Sequence, residues 1–146
     1  MSKQPESLTG SCLCGGISYR IRGGVGNLTY CHCSMCRKAQ GSAFGSYAPV
    51  SWGAFEVVNG EELIREYRSS AEVTRTFCGC CGSTLQFIRD GRGGFGIAVG
   101  TLNEDPGGRA TAQIWTQNKA PWWNLHDEPP CYNTIPAESP AQTDEE

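Results

Sequence analysis

At 146 residues with a formal net charge of −3, the chain is the size of one domain and carries no excess of basic residues. Its 12 Lys and Arg are scattered, and its last residues are Asp144, Glu145 and Glu146, which argues against the basic stripe of a nucleic-acid surface. Hydrophobic residues at 38% allow a thin core, no apolar run approaches the roughly 20 residues of a membrane span, and nine cysteines stand out as a second means of holding the fold.

In chain order, residues 1–9 are mostly polar and are expected to be a flexible N-terminus. Cys12 and Cys14 follow, with Gly15 and Gly16 directly after. Residues 17–21 alternate apolar and polar, the period of a half-buried strand. A second cysteine group, Cys31, Cys33 and Cys36, runs into residues 34–41, where Ser34 at the start and Gly41 at the end predict a short helical turn. Residues 55–58, 63–67, 73–77, 84–88, 95–99 and 112–115 are β-branched, aromatic or alternating, and read as strands. Asn59-Gly60 and Asp90-Gly91 lie between such runs as hairpin turns would. The glycines at 91, 93, 94 and 96 resemble a dinucleotide loop in composition alone, because strand-like segments flank them and no helix follows. Cys78, Cys80 and Cys81 form the third cysteine group, before Gly82. Residues 136–146 are rich in Pro, Ala, Glu and Thr and read as a disordered acidic tail. Residues 10–135 contain no linker, repeat or break in composition. The fold class is therefore mainly β, one domain, with one short helical turn.

The chain begins without an apolar leader, so a reducing cytoplasm is expected, where closely spaced cysteines are metal ligands before they are disulfides. Zinc takes cysteine thiolates at about 2.3 Å in a tetrahedron, and structural sites fill all four corners. Two cysteines one or two residues apart can share an ion where the backbone turns sharply, and a glycine after the second permits the positive φ of such a turn. Gly15 and Gly82 both meet that requirement, which pairs Cys12 and Cys14 with Cys78 and Cys81 in one closed site. Cys31, Cys33 and Cys36 offer three ligands and leave one corner open, the pattern of a reactive zinc. A dithiol redox centre at Cys33 and Cys36 lacks its usual βαβ setting, and the spacings match no ferredoxin iron–sulfur pattern.

Other residues carry weaker signals. His32 lies between two ligands and, by the alternation of an extended segment, points away from them. Cys80 is a spare thiol, and Cys131 is expected to be small and buried. Phe44, Trp115, Trp122 and Trp123 are core or pocket aromatics near the second cluster. Lys119 is a solvated loop lysine or a partner for a substrate carboxylate. His126 is a surface residue.

The runs GSCLCGGISYRIRG, YCHCSMCRKAQGSAF and FCGCCGSTL, with NKAPWWNLHDEPPCY near the C-terminus, resemble the glutathione-dependent formaldehyde-activating enzyme family, which includes the centromere protein V-like proteins. The likeness spans residues 10–132. It implies a β-tent fold of small antiparallel sheets around zinc. It also implies a structural zinc at Cys12, Cys14, Cys78 and Cys81, and a catalytic-type zinc at Cys31, Cys33 and Cys36. The activity it implies is addition of glutathione to formaldehyde, giving S-hydroxymethylglutathione, a carbon–sulfur lyase reaction. Cys80 departs from the family's spacing, and the chain is shorter than the enzyme proper. The expected partners are a small-molecule thiol and an aldehyde, with neither nucleic acid nor membrane. Whether zinc ionises the thiol or polarises the aldehyde stays open at this level, and a zinc-stabilised binding module is the competing reading.

Overall fold

The computed structural model describes residues 5–136. Among these residues, ten strands form two sheets. In chain order the elements are β1 (Ser7–Ser11), β2 (Ser18–Arg22), β3 (Leu28–Cys31), α1 (Ser34–Gln40), β4 (Gly45–Ser51), β5 (Phe55–Asn59), β6 (Ile64–Arg68), β7 (Val73–Cys78), β8 (Thr84–Arg89), β9 (Gly94–Ala98) and β10 (Ala110–Ile114). The smaller sheet has the order β1-β2-β5 and the larger β10-β3-β4-β9-β8-β7-β6. Every neighbouring pair is antiparallel except β10 and β3, which run parallel. The mainly β reading with one short helix therefore holds.

The sheets face each other across the main core. Leu8, Tyr19 and Ile21 of the smaller sheet meet Ala48, Val50, Phe95 and Ile97 of the larger. Strand alternation explains the division in β2, where Tyr19 and Ile21 turn inward while Arg20 and Arg22 face solvent. Leu8 is fully buried in this core. Residues 7–9 of the segment expected to be flexible are thus the start of β1, because burying Leu8 offsets the cost of ordering them. The expected tail, 136–146, lies outside the described residues beyond Pro136.

Asn59-Gly60 is not the hairpin turn its composition predicts. β5 pairs with β2 in one sheet and β6 with β7 in the other, so the chain crosses between sheets there. Gly60 has φ 84°, and a Cβ on it would lie 2.0 Å from the Gly16 carbonyl oxygen. The glycine answers a close approach between two backbones, not a reversal. Asp90-Gly91, by contrast, joins β8 and β9, which do pair.

β4 was concealed by Pro49, since proline is usually confined to sheet edges. It pairs with β3 through residues 45–47 and with β9 through residues 47–51. Pro49 therefore sits opposite the segment that precedes β3, outside that pairing, and its carbonyl accepts the Gly26 N–H at 2.9 Å on that side.

Candidate metal centres

The first cluster joins two hairpin tips. Cys12 and Cys14 lie in the turn after β1, while Cys78 and Cys81 lie at the end of β7 and in the turn after it. Gly15 has φ 78° and Gly82 has φ 83°, the left-handed conformation that each tight turn demands. The Cys12 carbonyl accepts from Gly15 N–H at 3.1 Å, and the Cys78 carbonyl from Gly82 N–H at 2.8 Å. Backbone amides turn onto the sulfurs. Ile17 N–H donates to Cys12 Sγ at 3.3 Å, and Cys80 and Cys81 N–H donate to Cys78 Sγ at 3.3 and 3.4 Å.

The four Sγ atoms lie within 4.8 Å of one another. Thiolates at about 2.3 Å from a tetrahedral ion stand about 3.8 Å apart. Cys14 Sγ lies 3.6 Å from Cys12 Sγ and 3.9 Å from Cys78 Sγ, close to the spacing such an ion requires. The Ser83 hydroxyl, 3.2 Å away, and the Ser83 backbone hold the Cys81 thiol down to about 5, favouring the charge state a metal ligand needs. Cys80 is exposed and is not part of the cluster.

The second cluster is local. Cys31 ends β3, Cys33 caps α1, and Cys36 lies one turn into the helix. The cap is the Cys33 sulfur, which accepts the Cys36 N–H at 3.4 Å, and not Ser34 as composition indicated. Gly41 closes the helix in the left-handed conformation, φ 60°. The three Sγ atoms lie within 4.8 Å of one another. Hydrogen bonds from Cys31 and then Cys36 pull the Cys33 thiol well below the usual thiol range, while the bond with Cys33 pushes Cys31 up. Three crowded thiols cannot all ionise without a cation, and one site concentrates the negative charge.

His32 turns away from both neighbours. It is fully buried, its Nε2 lies 3.0 Å from Gln113 Oε1, and its ring packs against Phe44 at 5.2 Å. Gln113 also donates to the His126 and Pro129 carbonyls, each at 3.0 Å, and so ties β10 to the 126–131 segment. Cys131 belongs to that segment and is exposed, contrary to the buried role expected of it.

A cleft of about 450 Å³ opens over the second cluster, with Met35, Ile114 and Trp115 on its walls. Trp115 has φ 56°, a strained conformation for a bulky residue, at the end of β10. Of the four aromatics considered for a pocket, Trp115 alone lines this cleft. Phe44 stacks on Tyr30 at 4.4 Å and meets Trp123 edge-on at 5.8 Å, while Trp122 is exposed. Lys119 donates to the Ala120 and Trp123 carbonyls, tying down its own loop.

The cleft's charge comes from residues that spacing did not single out, Arg75, Arg89 and Arg92. Arg75 is 7% exposed. It donates to Tyr47 Oη at 3.1 Å and to Cys36 Sγ at 3.6 Å, and its guanidinium lies over Phe87 at 5.0 Å. Burial pushes the Tyr47 phenol up to about 12, so it keeps its proton at neutral pH. Arg89 forms a surface pair with Glu72 at 3.2 Å. A sequence signal for Arg75 did exist, since it follows Val73 at the strand period and falls on the same inward face.

A mainly β scaffold carrying one four-thiol and one three-thiol cluster defines a class of protein with two candidate metal centres. Residues 7–118 match the model of the glutathione-dependent formaldehyde-activating enzyme family, and the chain belongs to that family. An uncharacterized lyase of Schizosaccharomyces pombe is 33% identical over 78 residues, which is 53% of this chain and 55% of the relative. The chain thus spans about half the length of the curated relative it matches. A crystal structure of a Rhodobacter sphaeroides protein superposes with a TM-score of 0.54 at 23% identity, covering 66% of this chain and 89% of the other, a likeness of fold. No helix among the described residues is long and apolar enough to cross a membrane.

Proposed function

We propose that the chain is a cytoplasmic carbon–sulfur lyase that joins or parts a thiol and an aldehyde, with S-hydroxymethylglutathione as the type of adduct. On this reading Cys12, Cys14, Cys78 and Cys81 hold a structural zinc, and Cys31, Cys33 and Cys36 hold a catalytic one. One observation carries it: the three-thiol cluster faces a cleft lined by arginines, and no fourth Cys, His, Asp or Glu joins it among the described residues. Family membership and the lyase name of the fission-yeast relative support the same chemistry.

Cys31, Cys33 and Cys36 would hold the zinc, which when bound would supply either thiol ionisation or carbonyl polarisation. The net change is a sulfur–carbon bond formed at the carbonyl carbon, with the thiol proton ending on the carbonyl oxygen; the lyase direction reverses both. Met35, Ile114 and Trp115 give the reacting end an apolar wall that limits water. Arg89 and Arg92 give the cleft positive charge for anionic groups, such as the carboxylates of glutathione. Uncatalysed addition of thiols to formaldehyde is already easy, so the residues act mainly by holding two reactants together.

The test is exchange-spectroscopy NMR on equilibrated glutathione and formaldehyde, with wild type and with Cys33→Ser, after zinc has been counted in both. Faster exchange with wild type alone, and a variant that keeps one metal equivalent, is the expected result. Equal exchange at full zinc occupancy discards this turnover and leaves a zinc-stabilised binding module as the better account.

A further inference from the structure

Arg75 poses an electrostatic problem that its neighbours solve in one way. Burying a guanidinium is costly unless an anion faces it. The surface arginines Arg68, Arg89 and Arg109 each meet a carboxylate. Among the described residues, none of the hydrogen-bond partners of Arg75 is a carboxylate. Its Nε donates to Ser69 Oγ at 3.2 Å, its Nη1 to Tyr47 Oη at 3.1 Å and its Nη2 to Cys36 Sγ at 3.6 Å. The first two are neutral hydroxyl groups. The sulfur is the partner that can carry charge, and it belongs to a cluster suited to a cation. Three thiolates around a divalent ion sum to a net charge of −1, which one guanidinium balances.

We propose that Arg75 is the positioning residue of the second metal centre: its Nη2 hydrogen bond and its charge lie against Cys36 Sγ and offset the excess negative charge of a metal held by three thiolates. An N–H···S bond withdraws density from the sulfur, so the sulfur donates less to the metal, and the open position stays a better acceptor. The planar fork matters as much as the charge. It spans Ser69, Tyr47 and Cys36 from one side chain while lying over Phe87, which a lysine cannot do. Backbone amides reach sulfurs in both clusters, Cys12, Cys78 and Cys81 in the first and Cys33 in the second, and the guanidinium on Cys36 is what the second adds.

The inference rests on the reading of Cys31, Cys33 and Cys36 as metal ligands. The test is titration of the full chain with cobalt(II), and with zinc in competition with a chelator, comparing wild type with Arg75→Met and Arg75→Lys. The second equivalent should bind roughly 10–100-fold more weakly in Arg75→Met, the usual cost of losing a partner of a ligand. The sulfur-to-cobalt charge-transfer band of that equivalent should move to lower energy, while the first equivalent stays as in wild type. Arg75→Lys should recover part of the affinity. Wild-type affinity and spectrum in Arg75→Met overturn the proposal, and so does parallel weakening of both equivalents, which marks a general packing role. Should Arg75→Met not fold, wild-type NMR decides: the Arg75 side-chain N–H signals should shift with the second equivalent and not the first, and signals that ignore the second overturn the proposal. Binding of a single equivalent by wild type overturns the underlying reading as well, whereas two equivalents with an unaltered variant sink the role of Arg75 alone.

Discussion

The two cysteine clusters use the same atom in opposite ways. In the first, a turn of the smaller sheet meets a turn of the larger, and Cys14 and Cys81 stand 67 residues apart. In the second, the three thiols fall within one strand end and the helix that follows it. An ion at the first links distant parts of the chain and ties one sheet to the other, so its binding free energy is folding free energy. An ion at the second orders little that β3 and α1 do not already order, and the cleft above it leaves room for a reactant. On the proposed reading, position in the topology, more than ligand type, separates a clamp from a site of chemistry.

The widest gap between the clusters should appear on removing one ligand from each. A structural zinc contributes about 10–16 kcal/mol of apparent binding free energy in small zinc domains, comparable with the whole stability of a domain, about 5–15 kcal/mol. Cys12→Ser or Cys81→Ser should therefore abolish cooperative thermal unfolding followed by circular dichroism, whereas Cys33→Ser should keep it. Aggregation of Cys33→Ser to the same degree would erase the division between clamp and reactive site.

A smaller effect should come from the crossing between the sheets. Gly60→Ala forces a Cβ into a left-handed position against the Gly16 carbonyl, beside the first cluster. A loss of about 1–3 kcal/mol in denaturant unfolding is expected, with metal affinity at the second cluster unchanged. Equal weakening of both clusters would show that the crossing couples them.

The least change should come from the cleft's outer charge. Arg89→Ala combined with Arg92→Ala should raise KM for an anionic thiol roughly tenfold, from about 1 kcal/mol or a little more of lost attraction, and leave a neutral thiol almost unaffected. The effect should shrink as salt is added. An equal rise for both thiols would point to damage to the cleft's shape and not its charge.

Much of the cluster geometry was legible before any tertiary information. Cysteine spacing and the glycines after Cys14 and Cys81 describe local turns, and φ at Gly15 and Gly82 depends on those few residues. The helix was legible for the same reason, with an error at its start, because a cysteine sulfur took the capping role usually read from serine. β1, β3 and β4 were hidden; in β1 and β4, Gly10 and Pro49 weaken a strand by propensity, and each is tolerated through contacts from elsewhere. A Cβ on Gly10 would lie 2.2 Å from the Tyr19 ring, so a glycine is needed there for packing.

What the sequence determined by itself is therefore what short-range chemistry decides: the mainly β character, the three cysteine groups, and the turns that present their sulfurs. Tertiary structure alone decided which strands pair, that Asn59-Gly60 carries the chain between sheets, and that Phe44, Trp122 and Trp123 stay out of the cleft. It also decided that Arg75 from β7 and Tyr47 from β4 meet at Cys36. Those contacts join residues 28 and 39 positions apart, and their energy depends on burial and on partners that no local pattern specifies.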